Sequence, residues 1–262
     1  MSERRAVLET KRILVALDTS SRGRAALAAA VRLAAKASAE LDGLFVEDED
    51  LLRLASLPFA HEVDLTSASP RQLQLTIMER ELHAAAQQAQ QAFANALGQL
   101  DLKWTFRIVR GTITQASLAA AGDVDLLVIG QQGRSSRVMA GEYPTRRSAG
   151  SNRVVAVFDG SPSAFRAIEL GHSLAEPNVA ELTVLVLANN GDQRSEQCLA
   201  WLEEHRIRAE LNQVIGASDQ PITDFVRKYR PAILLINRDS ESINDWQIGR
   251  LVNEFDCPII LC

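Results

Sequence analysis

An internal repeat constrains the fold of this chain more than any other feature of its 262 residues. Residues 12–34 align without a gap to residues 153–175, so that Asp18 matches Asp159 and Leu33 matches Leu174. In each segment an apolar run ends at the aspartate, small polar residues follow, and apolar positions then recur at helical spacing. Each segment therefore predicts a strand, a turn and a helix, and the chain is predicted to contain two copies of one unit.

The later parts of the two copies also share a pattern. The runs 41–46 and 182–187 are almost continuously apolar, which is typical of parallel strands covered on both faces. Residues 105–130 and 210–237 each predict a strand, an amphipathic helix and another buried strand. The second copy continues with a helix near residues 245–255 and a last strand at whose entrance Pro258 is tolerated.

This order of elements predicts an α/β fold of two tandem, doubly wound domains, each on a parallel five-stranded sheet. We place them at residues 1–148 and 149–262. Residues 134–152 are too few, and too rich in Gly, Ser and Arg, for a fourth helix and a fifth strand. We therefore expect the first domain to be truncated at its C-terminal end.

The first copy carries an insertion at residues 47–70, followed by a long predicted helix over about residues 71–100. That helix has a thin apolar stripe, so we expect one face to pack and the rest to contact water. The acidic run Glu47–Asp50 either caps a helix or repels anions. The apolar stretch 51–59 is too dense for a free loop, and we expect a lid over a cleft or a contact with another protein.

Charge and composition argue against several classes of protein. The net charge of −5 gives no long-range attraction to nucleic acid. The sequence has neither a run of about 18 apolar residues nor the apolar core of a secretory signal, so we expect a cytoplasmic protein without membrane insertion. Cys198, Cys257 and Cys262 lack metal-binding spacing and are expected to be buried thiols.

The segments VALDTS, VFDGS and LLVIGQQGRSS resemble universal stress proteins, and the similarity covers nearly the whole chain. The resemblance implies an adenine-nucleotide alpha hydrolase-like fold. In the ATP-binding branch, the fourth strand leads into a glycine, two residues, a second glycine, nine residues, and then a glycine with Ser or Thr. Gly130 and Gly133 match the first part of this motif, but Tyr143 and Pro144 stand where its end is expected. Such glycines let backbone amides approach phosphates.

The resemblance implies a nucleotide site in the first copy. Its predicted residues are Asp18, Thr19, Phe45, Val46, Gly130, Gln132, Gly133, Arg134 and Ser135. Other roles stay open, because Asp18 would also serve as a helix cap, Phe45 as a core residue and the glycine pair as a turn. In the second copy Asn237 and Ser240 replace the glycines, so we expect no phosphate binding there.

A group of arginines surrounds the glycine pair and the segment that follows it. Their guanidinium groups would either clamp a phosphorylated ligand or keep a linker solvated. The residues are Arg134, Arg137, Arg146, Arg147 and Arg153.

The resemblance implies a stress-response regulatory protein that binds ATP or another adenine nucleotide in the first copy and acts through an unknown protein partner. Magnesium is expected only with the nucleotide, and whether the protein forms a homodimer is left open. The four histidines lie in separate elements and no HExxH, GxSxG or P-loop motif occurs, so we expect at most weak ATP hydrolysis. The alternatives are a ligand-free interaction scaffold or regulator of a transporter, and an enzyme that transfers adenylyl or phosphate groups.

Overall fold

The computed structural model describes residues 10–17, 21–63, 70–72, 74–98, 100–130, 153–175, 181–188, 193–215, 219–240, 243–255 and 257–262. We call the described residues up to Gly130 the first half. Its elements, in chain order, are β1 (Arg12–Leu17), α1 (Ser21–Ala37), β2 (Glu40–Asp48), α2 (Glu49–Ala55), β3 (His61–Val63), β4 (Pro70–Gln72), α3 (Leu75–Leu97), β5 (Trp104–Gly111), α4 (Ile113–Ala120) and β6 (Leu126–Gly130).

The described residues from Arg153 onward form the second half. They alternate between strands and helices up to the last strand. The elements are β7 (Arg153–Phe158), α5 (Ala164–Leu174), β8 (Glu181–Ala188), α6 (Arg194–Glu204), β9 (Glu210–Ile215), α7 (Asp219–Tyr229), β10 (Ile233–Ile236), α8 (Asp245–Glu254) and β11 (Ile259–Leu261).

Nine of the described strands form one large sheet in the order β5-β2-β1-β6-β11-β10-β7-β8-β9. Neighbouring strands are parallel except at the junction of the halves, where Ile129 of β6 lies opposite Ile259 of antiparallel β11. Where the sequence predicted two five-stranded sheets, the structure has one continuous sheet. The described part of the first half contributes four of its strands, and β11 pairs with the edge of β6 that a fifth strand would need.

Helices cover both faces of the large sheet, so side chains that point to either face of a central strand are buried. Ile13, Val15 and Leu17 of β1 point into the core beneath α1, whereas Leu14 and Ala16 point into the core on the opposite face. Helices α1, α3, α5 and α6 contribute buried side chains to the first core, and α4, α7 and α8 to the second. The predicted doubly wound α/β architecture is therefore confirmed.

The long predicted helix is present as α3, shorter at both ends than the expected 71–100. Its packed face is confined to the C-terminal part of the stripe, where Ala86, Ala89, Phe93 and Leu97 are buried, while Leu75 is exposed. Phe93 reaches the sheet because Gly43 of β2 has no side chain. A Cβ atom at Gly43 would lie 2.5 Å from Phe106 Cδ2 and 2.9 Å from Phe93 Cε2.

Two cations of α1 connect the halves on the first face of the sheet. Arg32 Nη2 donates a hydrogen bond to the Leu174 carbonyl at 2.7 Å, and Lys36 Nζ donates one to the Ser173 carbonyl at 2.7 Å. Both acceptors lie at the end of α5, where carbonyl groups lack partners within the helix. Among the described helices, none is both long enough and apolar enough to cross a membrane.

Candidate functional site

The carboxyl ends of β1, β2 and β6 lie side by side at one edge of the large sheet, which we call the first-half edge. Leu17, the last residue of β1, lies beside Phe45 of β2 on one side and Gly130 of β6 on the other. The chain leaves β1 toward β2 and later returns on the opposite side as β6, so strand order reverses there. Open α/β sheets bind ligands outside the carboxyl ends of strands at such a switch point.

Glutamate and aspartate side chains at the end of β2 make structural contacts. The buried Glu47 accepts a hydrogen bond from Arg110 Nε at 2.9 Å. Asp48 accepts one from the Asp50 amide at 3.0 Å and so caps the first turn of α2. Of the two roles predicted for the acidic run, helix capping is the one that the structure contains.

The equivalent position in the second half lies at the carboxyl ends of β7, β8 and β10, which we call the second-half edge, and it is filled by side chains. The polar cluster, as we call it, joins the end of β7 to the loop after β10 and consists of Asp159, Ser161, Ser163, Asn237 and Ser240. Asn237 Nδ2 donates to Ser163 Oγ at 2.7 Å and to Ser161 Oγ at 3.0 Å. Asp159 accepts from the Ser161 amide at 3.0 Å, from Ser161 Oγ at 2.6 Å and from the Ser240 hydroxyl. Asp159 is 7% exposed and Asn237 is 2% exposed, so the cluster closes this part of the edge.

The polar cluster favours a negative charge on Asp159. Burial alone raises the pKa of this carboxyl, because a low-polarity environment disfavours the ionised form. The hydrogen bonds from the Ser161 and Ser240 hydroxyls and from the Ser161 amide outweigh burial, and the pKa lies below its ordinary value. The aspartate is therefore an ionised anchor for two loops rather than a proton donor at neutral pH.

An arginine covers the other side of the same edge, between β7 and β8. Arg194, at the start of α6, donates from Nη1 to the Leu187 carbonyl at 2.6 Å. Its side chain crosses Gly160, where an added Cβ atom would lie 2.9 Å from Arg194 Nε. Gly160 has φ +86°, which an L side chain rarely adopts, so a glycine here serves both the turn and the contact.

Comparisons with known proteins identify the family of the chain and proteins with a similar fold. The profile of the Universal stress protein family matches residues 9–139. The chain belongs to the universal stress protein family. A universal stress protein from Archaeoglobus fulgidus has a similar structure, with a TM-score of 0.54 and 12% identity over 98% of this chain and 97% of that one. A Pseudomonas aeruginosa protein assigned to the same family has a TM-score of 0.50 and 12% identity over 98% of this chain and 94% of that one. At these identities the structural matches show the fold alone, and comparison with curated proteins finds no match.

The structure describes three of the predicted nucleotide-binding residues of this universal stress protein. Phe45 is buried with Ala86 and Ala89 of α3 in a small separate cluster, on the same face of β2 as Leu41 of the first core. Val46 faces the opposite core, which also contains Ile113 of α4, and Gly130 ends β6 in a buried position. Phe45 and Val46 therefore lie on opposite faces of β2, as alternation along a strand requires. The remaining predictions fall outside the described residues, namely Asp18, Thr19, Gln132, Gly133, Arg134 and Ser135.

Arg153 is described, and its contacts match neither of the two roles left open for the arginine group, a phosphate clamp or a solvated linker. Its guanidinium pairs with Glu210 at 3.0 Å and Glu181 at 3.4 Å and lies 5.4 Å from the centre of the Tyr229 ring. The strand order places β7 three positions from β6, about 14 Å away at normal strand spacing. The other arginines of the predicted group, Arg134, Arg137, Arg146 and Arg147, lie outside the described residues.

The insertion of this universal stress protein contributes an exposed apolar surface, the α2 surface, formed by Leu54, Leu57 and Phe59. These side chains are 48%, 36% and 73% exposed, while Leu52 of the same helix is buried. Their exposure shows that they contact solvent in the described conformation. Both predictions for this stretch, a lid over a cleft and a contact with another protein, therefore stay open.

Sequence reasoning missed three residues of the second-half edge. Ser163 and Arg194 complete the contacts of Asn237 and Gly160, and Arg238 reaches into the first half. A serine in a turn and an arginine at a helix start are common in any sequence, so neither gave a signal. In the part of the chain that the structure describes, no three His, Cys, Asp or Glu side chains converge as metal ligands.

Proposed function

We propose that this universal stress protein is a stress-response regulator whose first half binds an adenine nucleotide and whose second half is a ligand-free scaffold. The observation that carries this proposal is the difference between the two switch points. In the first half, β1 ends beside Gly130, which has no side chain to occupy the space above the strand ends. In the second half, the buried Asn237 and its hydrogen-bond partners fill the corresponding space.

The chemistry of the first-half residues favours a nucleotide over other small ligands. Val46 supplies an apolar wall at the end of β2, of the kind that packs against a base. Beyond Gly130 the sequence continues with Gly133 and Arg134, residue types that bring backbone amides and a guanidinium to phosphate groups. Magnesium would accompany the phosphates, since no metal site of the protein's own is proposed.

We propose further that the halves are two copies of one domain. In the first half, β1 lies between β2 and β6, with β5 outside β2; in the second, β7 lies between β8 and β10, with β9 outside β8. The equivalent strands occur in the same chain order in both halves. This equivalence supports the division at residues 148 and 149 and the internal repeat from which it was predicted.

Calorimetric titration with ATP, ADP, AMP and cyclic nucleotides tests the first-half site. We expect binding to the wild-type protein, and loss of binding in Asp18→Ala and Gly133→Val. The control variant Ala200→Val introduces the same side chain at an exposed position of α6, outside the polar cluster, and should leave the affinity unchanged. Absence of heat with the wild-type protein at millimolar nucleotide, or an equal loss of binding in Ala200→Val, would contradict the first-half site.

The proposed role is that of a switch rather than a catalyst. ATP consumption that rises linearly with protein concentration and disappears in Asp18→Ala would contradict this part of the proposal and would favour an enzyme that transfers phosphate or adenylyl groups. Nucleotide exchange without turnover is the expected result.

A second candidate function is an interaction scaffold or transporter regulator that holds no nucleotide. The α2 surface favours it, because exposed apolar groups that lie close together mark sites of protein contact. A photo-crosslinking amino acid at Leu54 should capture a partner in cells, while the same amino acid at Leu199 of the second half should not. The two positions form a matched pair, because Leu54 is 48% and Leu199 46% exposed. Equal capture at both positions, or none at Leu54, would remove the evidence for a docking surface.

A further inference from the structure

The closed loop of the second half also contacts the first half. Arg238 lies between Asn237 and Ser240, both of which belong to the polar cluster. Its Nη1 atom donates a hydrogen bond to the Ala121 carbonyl at 2.6 Å, across 117 positions of sequence. Its backbone amide donates to the Cys262 carbonyl at 2.8 Å, which ties the same residue to the end of β11.

The Ala121 carbonyl is well placed for a contact that fixes the position of α4. Ala121 is buried, it directly follows the last residue of α4, and its carbonyl accepts from the Arg238 guanidinium as well as from the Val124 amide at 3.4 Å. A guanidinium at this end is also favoured by the helix dipole. The contact therefore combines a charge-assisted hydrogen bond with favourable long-range electrostatics.

A second contact from the second half reaches the opposite end of α4. Helix α8 packs against α4 so closely that a Cβ atom at Gly249 would lie 3.1 Å from Thr114 Cγ2. Thr114 lies in the first turn of α4, next to Ile113, which shares the second core with Val46. Helix α4 is thus held near its start by α8 and at its end by Arg238.

The position of α4 is transmitted to the central strands of the first half. Asp125, four residues beyond Ala121, accepts hydrogen bonds from the Lys11 amide at 2.8 Å and the Arg12 amide at 3.0 Å. These bonds set the start of β1 beside the start of β6, and β6 ends at Gly130. A displacement at the end of α4 would therefore move both strands of the first-half switch point.

We propose that the second half has converted its own closed site into a brace that positions α4 of the first half, with Arg238 as the positioning residue. The polar cluster holds the loop, and the loop holds Arg238 against Ala121. The side chains at 237 and 240 thus have a structural use, since a loop filled by side chains is stiffer than one that must admit a ligand. The brace is independent of any ligand, while its effect on nucleotide affinity rests on the proposed function.

Hydrogen exchange measured by mass spectrometry tests the brace without a ligand. In Arg238→Met, amides of residues 114–126 should exchange about tenfold faster, the change that loss of a hydrogen bond to a charged group brings. Arg227→Met is the matched control, because Arg227 pairs with Glu254 inside the second half. That variant should leave residues 114–126 unchanged.

Asn237→Ala provides an independent variant, because it frees the loop from Ser161 and Ser163 while keeping the guanidinium. It should also accelerate exchange in residues 114–126, and it serves alone if Arg238→Met does not fold. Unchanged exchange in these residues, or equal acceleration in Arg227→Met, would overturn the proposal. Either result would leave the proposed nucleotide site untouched. Conversely, a wild-type protein that binds no nucleotide would contradict the proposed function but not the brace.

Discussion

The Ser240 hydroxyl donates a hydrogen bond to the Asp159 carboxylate, although the two residues are 81 positions apart in the chain. Asp159 follows β7 directly, and Ser240 belongs to the loop after β10. Because β7 and β10 are neighbours in the large sheet, one buried charge links two adjacent strand ends. The stability of the second-half edge should therefore depend on ionisation of this carboxylate.

Asp159→Asn should lower the free energy of unfolding at pH 7 by about 1–3 kcal/mol, the cost of leaving buried donors poorly paired. The folded-state pKa of Asp159 lies below its ordinary value. Its stabilising contribution is therefore complete above the pKa of the unfolded state and disappears as pH falls through the folded-state pKa. Urea unfolding measures the free energy of unfolding of wild type and variant at pH 7 and pH 3. The difference between the two proteins should be smaller at pH 3.

Asp123→Asn is the control for this pH dependence, because Asp123 is exposed in the short turn after α4. Its free energy of unfolding should equal that of the wild-type protein at both pH values. If Asp159→Asn lowers the free energy of unfolding by the same amount at pH 7 and pH 3, then the shape of the aspartate side chain, rather than its charge, stabilises the protein.

Gly160→Ala should destabilise the protein by about 1 kcal/mol or more, because alanine is strained at positive φ. The new methyl group would also meet the Arg194 side chain, 2.9 Å away at Nε. Gly122→Ala is the matched control, since an added Cβ atom there has no neighbour within 4 Å. Chemical denaturation compares the two variants, and equal stabilities would contradict the described turn.

Gly43→Ala should destabilise the first half through the rings of Phe93 and Phe106, which lie against the glycine. Overpacking of this kind typically costs about 1–3 kcal/mol. In a Phe93→Ala background the cost should fall, because one of the two rings has been removed. A double-mutant cycle measures this coupling, and strictly additive effects would mean that Phe93 does not pack on Gly43.

Cys198 and Cys262 should resist alkylation in the folded protein. Burial raises the pKa of both thiols to about 12, and only the thiolate is an effective nucleophile. Mass spectrometry after iodoacetamide treatment at pH 8 should find these cysteines unmodified in buffer and fully modified in urea. Rapid labelling of Cys198 without denaturant would contradict its burial.

The repeating strand and helix units could be predicted from sequence because their patterns are local. The apolar runs of β1, β2 and β8 and the helical spacing in α1 arise from burial of neighbouring residues. The junction between the halves could not be predicted in this way. Residues 259–261 have the same apolar pattern whether β11 pairs on one side or on both, so nothing in the segment indicates that β6 is its second neighbour.

The sequence was informative about the candidate site only at positions where the residue type itself decides whether a side chain fills the space at a strand end. Side chains at 237 and 240 led to the prediction that phosphates cannot approach the second half. In the structure both side chains belong to the polar cluster, and the absence of phosphate binding stays a prediction. The contacts of Arg153 could not be predicted, because closeness in sequence to the glycine pair says little about position across a sheet. Its charge is instead matched by Glu181 and Glu210, which the sequence places 28 and 57 residues away.

The position of β11 at the middle of the large sheet bears on the order in which the protein can assemble during synthesis. It is the last strand along the chain in the described residues, yet it lies between β6 and β10. A ribosome therefore produces the whole first half while the hydrogen-bonding edge of β6 is still open, and the sheet closes only after residues 259–261 have emerged. An open apolar edge is a template for pairing with other chains, so we expect aggregation to be most favourable in the interval before closure.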